Sequence, residues 1–249
     1  MITLATFNIK GGVGKTAAAV NLAYLSAWEG NRTLVWDLDP QGASTYYFRI
    51  KPKVKGGGRA LIAGKPEIEH LIKGTDFDNL DLLPSDFSFR NLDLVLEGRK
   101  KPTRRLRKLL SPLADDYDFI ILDCPPSISL LSECVFEAAD ALISPVIPTP
   151  LSSRTFEQLE EFVRTNKLDA LALMPFLSMV DRRKSLHRHM CEILSTEHPA
   201  FLKTAIPYAS DVERMGVARN PLGYFAPNSA SEKAYRALWR EIRERLAGR

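Results

Sequence analysis

The sequence predicts an α/β fold: a doubly wound, mostly parallel sheet flanked by helices. Three observations predict it. Short aliphatic and β-branched runs alternate with stretches of helical periodicity, the pattern of repeated parallel βαβ units. The first run passes directly into a glycine-rich turn and then a helix. Two later runs end in aspartates, so polar groups collect where strands finish, and doubly wound sheets bind ligands beyond the carboxyl ends of their strands.

The elements follow in order. Strands are expected at 2–8, 33–38, 80–83, 119–123, 141–147, 171–179 and 203–206. Helical periodicity fits 15–29, 87–96, 103–114, 129–138, 152–167, 185–195 and 231–246. The stretch 51–74 carries Lys53, Lys55, Gly56, Gly57, Gly58 and Gly64 and reads as a mobile loop with a short helix. It is not a domain boundary, and residues 1–249 are expected to form one domain. There is no internal repeat and no low-complexity segment.

The bulk numbers narrow the class. A chain of 249 residues, 45% hydrophobic and 26% charged, is ordinary for a globular protein with a sizeable core. No apolar run reaches 18 residues, so no transmembrane helix is expected. The chain enters a strand at once, so no signal peptide is expected. Cys124, Cys134 and Cys191 form no C-x-x-C pair and are expected as buried small hydrophobes in a reducing cytoplasm. The net charge of +4 is mild, so its distribution matters more than its sum.

The glycine-rich turn reads Lys10-Gly11-Gly12-Val13-Gly14-Lys15-Thr16. An ordinary phosphate loop is G-x-x-x-x-G-K-[ST]. Here Ile9 takes the first glycine position and an extra lysine, Lys10, opens the loop. Glycines let backbone N–H groups curl around phosphate oxygens, and the next helix points its positive end at the same phosphates. Lys15 would reach the β/γ-phosphates, and the Thr16 hydroxyl would ligate Mg²⁺. Lys10 is left over.

The two acidic strand ends are Thr33-Leu34-Val35-Trp36-Asp37-Leu38-Asp39-Pro40-Gln41-Gly42 and Phe119-Ile120-Ile121-Leu122-Asp123-Cys124-Pro125-Pro126. An apolar strand delivering Asp123 to its tip suits Mg²⁺ held through a water. Asp37 and Asp39 flank one residue, so in a strand they would point the same way. One of the pair would secure Mg²⁺ or the loop, and the other would position the attacking water.

These motifs, with Ser127, resemble the ParA-type partition ATPases of the ParA/MinD family, whose phosphate loop is the deviant Walker A type. The likeness extends to Ser178-Met179-Val180-Asp181-Arg182-Arg183, to Ile206-Pro207 and to a last helix containing Tyr235, so it covers nearly the whole chain. The resemblance implies that Gly11, Gly12, Val13, Gly14, Lys15, Thr16 and Ala17 hold ATP. It implies that Lys10 is the signature lysine, reaching across a dimer interface to phosphates bound by the partner subunit. Asp39 matches the catalytic carboxylate and Asp123 the Mg²⁺–water ligand, with Thr16 and Asp39 completing the metal set. Asp181, Arg182 and Pro207 would frame the adenine. Such dimers form only with ATP. The chain departs from the pattern at Gly42-Ala43-Ser44-Thr45, where members often carry Asn after the glycine. Its 211–221 segment is shorter than the common form, and Arg219 is the counterpart of a basic residue that contacts DNA. No helix-turn-helix precedes the first strand, which resembles the short, chromosomal-type members.

Three basic patches stand out. Residues 99–108 hold seven positive charges and no acid. In the last helix Lys233, Arg236, Arg240 and Arg243 fall within an arc of roughly 80° at 100° per residue, beside an apolar arc of Tyr235, Leu238, Trp239, Ile242 and Leu246. The third patch is Arg182, Arg183, Lys184 and Arg188. MinD-like relatives end in a membrane-targeting helix, but here the apolar arc is expected to dock internally and the basic arc to face DNA. No base-reading motif is present, so contact would be nonspecific.

The expectation is therefore a cytoplasmic, nucleoid-associated ATPase using ATP and Mg²⁺. It would form an ATP-loaded homodimer on nonspecific DNA and position a plasmid, chromosome or protein assembly. A ParB-like or other adaptor would stimulate hydrolysis, and stable membrane association is not expected. The rivals are a membrane-bound division-site regulator of the MinD kind, a metabolic P-loop ligase such as a dethiobiotin- or cobyrinate-synthase-like enzyme, and an iron–sulphur reductase of the nitrogenase type. The last needs cluster cysteines that Cys124 and Cys134, ten apart, do not supply in an evident form.

Overall fold

The computed structural model describes residues 1–248. The chain runs β1 (Ile2–Thr6), α1 (Lys15–Trp28), β2 (Thr33–Asp37), α2 (Ala43–Tyr47), α3 (Gly57–Ala63), β3 (Lys73–Gly74), β4 (Leu80–Leu83), α4 (Leu92–Glu97), α5 (Arg105–Leu110) and β5 (Phe119–Asp123). It continues through α6 (Leu130–Ala138), β6 (Ala141–Val146), α7 (Pro150–Thr165), β7 (Ala172–Val180), α8 (Ser185–Glu197), β8 (Ala205–Pro207), α9 (Ser210–Ala218), α10 (Leu222–Phe225) and α11 (Ala230–Ala247).

One eight-stranded sheet has the order β3-β4-β2-β5-β1-β6-β7-β8. Every pairing is parallel except β3 with β4. The expected doubly wound sheet is therefore present. β2, β5 and β6 are buried along their whole lengths. Strands covered on both faces read as unbroken apolar runs, which is why they were legible. Alternate residues of β5 feed opposite sides. Ile120 and Leu122 join a core with Trp36, Phe136 and Leu106, while Phe119 and Ile121 join one with Val35, Leu22 and Trp239.

The register matters for the site. Thr6 lies opposite Asp123, and Asp123 lies opposite Asp37. Three polar tips thus emerge side by side at the sheet's carboxyl edge, next to the turn after β1. The chain turns to opposite sides of β1 on reaching β5 and β6, so the phosphate loop sits at the topological switch.

Four expectations change. The 87–96 helix divides into a 3-10 turn, Phe87–Asn91, and α4. The Asp86 side chain accepts from Ser88 N and starts that turn early. The 103–114 helix is a 3-10 turn, α5 and a second 3-10 turn, Ser111–Asp115. Pro112 has no N–H to bond Lys108 O, so α5 ends at Leu110 although Ser111 keeps helical dihedrals. The 51–74 stretch does carry a short helix, α3, but it is anchored: Val54, Leu61, Ile62, Ile68 and Leu71 are all buried in the core. Finally, α2, α9 and α10 had no place in the sequence reading. Each is short, and Arg219, in the left-handed region at φ 49°, ends α9 just before Pro221.

Cys124 and Cys134 are buried and Cys191 is partly so, and all three are free thiols. Helix α11 docks as expected. Tyr235, Leu238, Trp239 and Ile242 are buried, Trp239 meets the Phe119 ring edge-on at 5.1 Å, and its indole N–H donates to Glu29 Oε2 at 3.0 Å. Trp239→Ala is expected to cost about 3–5 kcal/mol through the cavity it leaves. The midpoint of urea unfolding checks this, and a midpoint equal to that of the unaltered protein would mean that α11 is not anchored this way.

Candidate functional site

The phosphate loop is held from three directions. Asn8 is buried. Its side-chain amide donates to Pro145 O at 2.8 Å, and its Oδ1 accepts from Lys10 N at 2.8 Å. From β7, the Ser178 hydroxyl donates to Val13 O at 2.9 Å. Gly12 and Gly14 have φ of 71° and 100°, and a Cβ on Gly14 would sit 3.1 Å from Ser178 Oγ. Both conformation and crowding therefore require glycine at position 14. Helix α1 begins at Lys15 with no side-chain cap and no acid in its first turn. Its first N–H groups face the loop uncompensated, which is the composition of an anion site.

Lys15 is buried, and its ammonium donates to Lys10 O at 3.0 Å. Burial lowers its pKa, and Asp123, Cys124 and Asp39 oppose that shift. Lys10 differs. It remains partly exposed, and its Nζ reaches Ser152 Oγ at the start of α7 at 3.3 Å. The loop's shape uses Lys10 only through its backbone.

The aspartates separate into distinct roles. Asp37 is fully buried, and its Oδ2 accepts from Thr45 N at 2.8 Å and Thr45 Oγ1 at 2.7 Å. Burial first, then Asp123, pushes its acid form well above the usual carboxylate range. It organises the start of α2. Asp123 is also buried. It accepts from Ser44 Oγ at 2.7 Å and Thr6 Oγ1 at 3.3 Å, and burial raises its pKa against bonds from Ser44 and Thr16. Asp39 is partly exposed, and its Oδ1 accepts from Gln41 N at 2.9 Å. Strand β2 ends at Asp37, so the pair does not share a strand face as expected. Asp39 stands in the turn beyond, close enough to Lys15 and Asp123 to perturb both. Asp37 is spent on Thr45, which leaves Asp39 as the carboxylate free to meet a ligand.

The donor set suits a hard divalent cation: the Thr16 hydroxyl and Asp123 at one point, with Asp39 alongside. Mg²⁺ is held by one or two carboxylates together with waters and substrate phosphates. The glycine cradle and uncapped helix start suit the phosphates.

The residues expected at the adenine divide. Pro207 lines a narrow slot beside the loop with Gly14, Ser178, Met179 and Tyr208. Asp181 and Arg182 do not line it. The Asp181 carboxylate is gripped by Arg183 at 2.9 and 3.0 Å, and Arg182 is exposed. Sequence reasoning missed Ser44, Thr45 and Ser85. Ser85 N donates to Thr45 Oγ1 at 2.9 Å, and Ser85 Oγ donates to Asp39 O at 2.5 Å, so Ser85 ties the β4 tip to the Asp39 turn.

The expected DNA residues are partly engaged within the chain. Arg236 pairs with Glu232 and lies 4.5 Å from the Trp28 ring centroid. Arg243 pairs with Glu29. Arg219 stacks 4.3 Å from the Tyr46 ring centroid and donates to Tyr46 O at 3.0 Å. Lys233 and Arg240 have no ion-pair partner among the described residues. No helix among the described residues is long and apolar enough to cross a membrane.

A glycine loop at the switch point, a buried lysine behind it and carboxylates at neighbouring strand tips define a P-loop nucleoside-triphosphatase fold, with a second lysine at the mouth of the loop. The AAA domain family profile matches residues 1–172. The chain is 31% identical over 248 residues to the chromosome partitioning protein ParA of Myxococcus xanthus, covering 96% of this chain and 86% of that protein. Among solved structures it is similar to a plasmid partition protein from Borrelia burgdorferi bound to AMPPNP, with TM-score 0.83, 25% identity and coverage of 98% and 99%. It is also similar to cobyrinic acid a,c-diamide synthase from Mycobacterium smegmatis with bound ADP and magnesium, with TM-score 0.82, 25% identity and coverage of 100% and 97%. The chain belongs to the ParA-type partition ATPases.

Proposed function

We propose that the chain is an ATP-driven dimerisation switch that holds nonspecific DNA while loaded and positions a cargo. One observation carries the reading: Lys10 stands at the loop mouth with its side chain uninvolved in shaping the loop, free to serve a second subunit. ATP phosphates would lie against residues 11–17, with Lys15 on the β/γ-phosphates. Mg²⁺ would be held by Thr16 and, through a water, by Asp123, with Asp39 nearby; when bound it neutralises charge on the transferred phosphoryl group. Asp39 orients the attacking water. Lys10 of each subunit reaches the partner's phosphates, so the dimer forms with ATP and dissolves on hydrolysis. A ParB-like or other adaptor accelerates that step. The protein would act in the cytoplasm on the nucleoid, with Arg219, Lys233, Arg236, Arg240 and Arg243 among the DNA contacts. Pro207 borders the base; Asp181 and Arg182 act at one remove.

The docked α11 argues against a membrane-targeting helix, because its apolar residues are already buried. A metabolic ligase would show turnover of a small substrate and no DNA-dependent behaviour.

Sedimentation with ATP, ADP or no nucleotide, repeated with duplex DNA, tests the reading. The dimer and DNA binding are expected with ATP and Mg²⁺ alone. With on the order of six phosphate contacts, affinity should fall roughly 10³-fold between 50 and 200 mM salt. A monomer indifferent to ATP, or no DNA binding in its presence, would remove the switch.

A further inference from the structure

The segment from Arg99 to Lys108 has no part in the nucleotide site. No acid occurs between Glu97 and Asp115. Of its seven cations, Arg104 approaches Glu137 at 3.6 Å and Arg105 donates to Ile62 O at 2.5 Å. Arg99, Lys100, Lys101, Arg107 and Lys108 are exposed and have no ion-pair partner among the described residues. The segment beneath them is packed into the core. Leu106, Leu109 and Leu110 are buried, and the Cys134 thiol of α6 donates to Pro102 O at 3.1 Å. Inward leucines at helical spacing turn Arg107 and Lys108 outward. Lys167, also exposed, shares with Arg107 the lining of a hollow of about 300 Å³ between α6 and the turn before β7. The acids in that hollow are engaged: Glu137 by Arg104, and Asp140 by Thr3 N at 2.7 Å. Burial lowers the Arg105 pKa, and the neighbouring Arg99 adds to the shift.

The α11 stripe is different. Glu232 and Glu29 neutralise Arg236 and Arg243, which leaves Lys233 and Arg240. The α5 surface lies on the opposite side of the sheet, over the Trp36 core rather than the Trp239 core.

We infer that the principal phosphate-binding surface for duplex DNA is this face, Arg99, Lys100, Lys101, Arg107, Lys108 and Lys167, with the α11 stripe secondary. The assignment rests on the DNA-binding reading proposed above. What selects a nucleic-acid backbone is the absence of anchors. Residues 99–108 expose no large apolar side chain, and the exposed Leu94 on α4 lies five residues before the first of these cations, whereas protein interfaces depend on buried aromatic or aliphatic anchors. An anionic bilayer likewise rewards an apolar element inserted beside the charges. A row of unpaired cations without such an element matches a polyphosphate, read without sequence preference.

The test compares the unaltered protein with Arg107→Glu/Lys108→Glu and with Lys233→Glu/Arg240→Glu, by anisotropy of a labelled duplex of arbitrary sequence with ATP and Mg²⁺. Phosphatidylserine vesicles are the second probe. Unfolding midpoints confirm that each variant is folded, and Lys100→Glu/Lys101→Glu repeats the measurement should the first pair fail to fold. The α5 pair is expected to lose about tenfold or more in affinity and to flatten the salt slope by about 1.8 for each subunit in contact, two phosphate contacts at 0.9 each. The α11 pair is expected to lose only a few-fold. Equal binding by the α5 variants and the unaltered protein overturns this surface while leaving the DNA-binding reading intact. An unaltered protein that binds no DNA overturns the reading itself. Vesicle binding that the α5 pair abolishes while DNA binding persists reassigns the face to lipid and overturns the inference.

Discussion

Asp39→Ala is expected to leave ATP binding and dimerisation standing while turnover falls ~10²–10⁴-fold, the usual contribution of a positioned base or water-orienting group. The structure isolates the side chain well. Asp39 Oδ1 holds only the local N–H of Gln41, and the turn's shape is fixed independently by the bond from Ser85 Oγ to Asp39 O. Truncation therefore removes a carboxylate without removing the scaffold. The variant should accumulate as an ATP-bound dimer that stays on DNA, read by single-turnover hydrolysis and by sedimentation of the loaded protein. Asp37→Ala should behave differently. Thr45 would lose the acceptor for both its N–H and its hydroxyl, and a buried polar group without a partner costs about 1–3 kcal/mol. That variant should lose stability first and activity as a consequence. Unchanged turnover in Asp39→Ala would send the water-positioning role elsewhere, and Asp37 could take it only by giving up Thr45.

The contrast between these two aspartates shows where the sequence was legible. β1, β2 and β5 follow from apolar runs that a doubly covered sheet demands, so Asp123 could be placed at a strand tip and the Asp37–Asp39 pair near another from the residues alone. What separates Asp37 from Asp39 is Thr45, on a five-residue helix with no periodic signal, and Ser85, a lone hydroxyl after β4. Hydroxyl side chains in short connections acquire a role only through a partner brought close by the fold. The α11 stripe shows the same limit at longer range. Its angular clustering was readable, and so was its docking, but Glu29, just past the end of α1 and 214 residues from Arg243, could be found only by folding the chain. The end of α5 at Leu110 was readable in principle, since Pro112 supplies no N–H to continue the helical ladder.

Lys10→Ala is expected to abolish ATP-dependent dimerisation and with it nearly all hydrolysis, while monomeric ATP binding stays close to that of the unaltered protein. Within one subunit Lys10 contributes through its backbone. Its N–H is fixed by Asn8 and its carbonyl receives Lys15 Nζ, so the backbone at this position is part of the cradle. Both are main-chain contacts and survive truncation. The side chain's own contact is one long bond to Ser152 Oγ, which has Thr149 Oγ1 as a second neighbour at 3.1 Å. Removing the ammonium therefore leaves the loop intact and takes away only a charge poised at its mouth. A cation supplied in trans to a transferring phosphoryl group is worth ~10³–10⁵ in rate, and it can act only when two subunits meet. Lys15→Ala is the control with the opposite signature. Lys15 is buried behind the loop, its charge balanced by Asp123 and Asp39, so its loss should weaken nucleotide binding in the monomer before dimerisation is in question. Nucleotide titration of monomers and sedimentation with ATP, run on both variants, separate the two lysines. Normal dimerisation of Lys10→Ala would show that the second lysine serves its own subunit, and the switch would then need another residue to sense the partner's nucleotide.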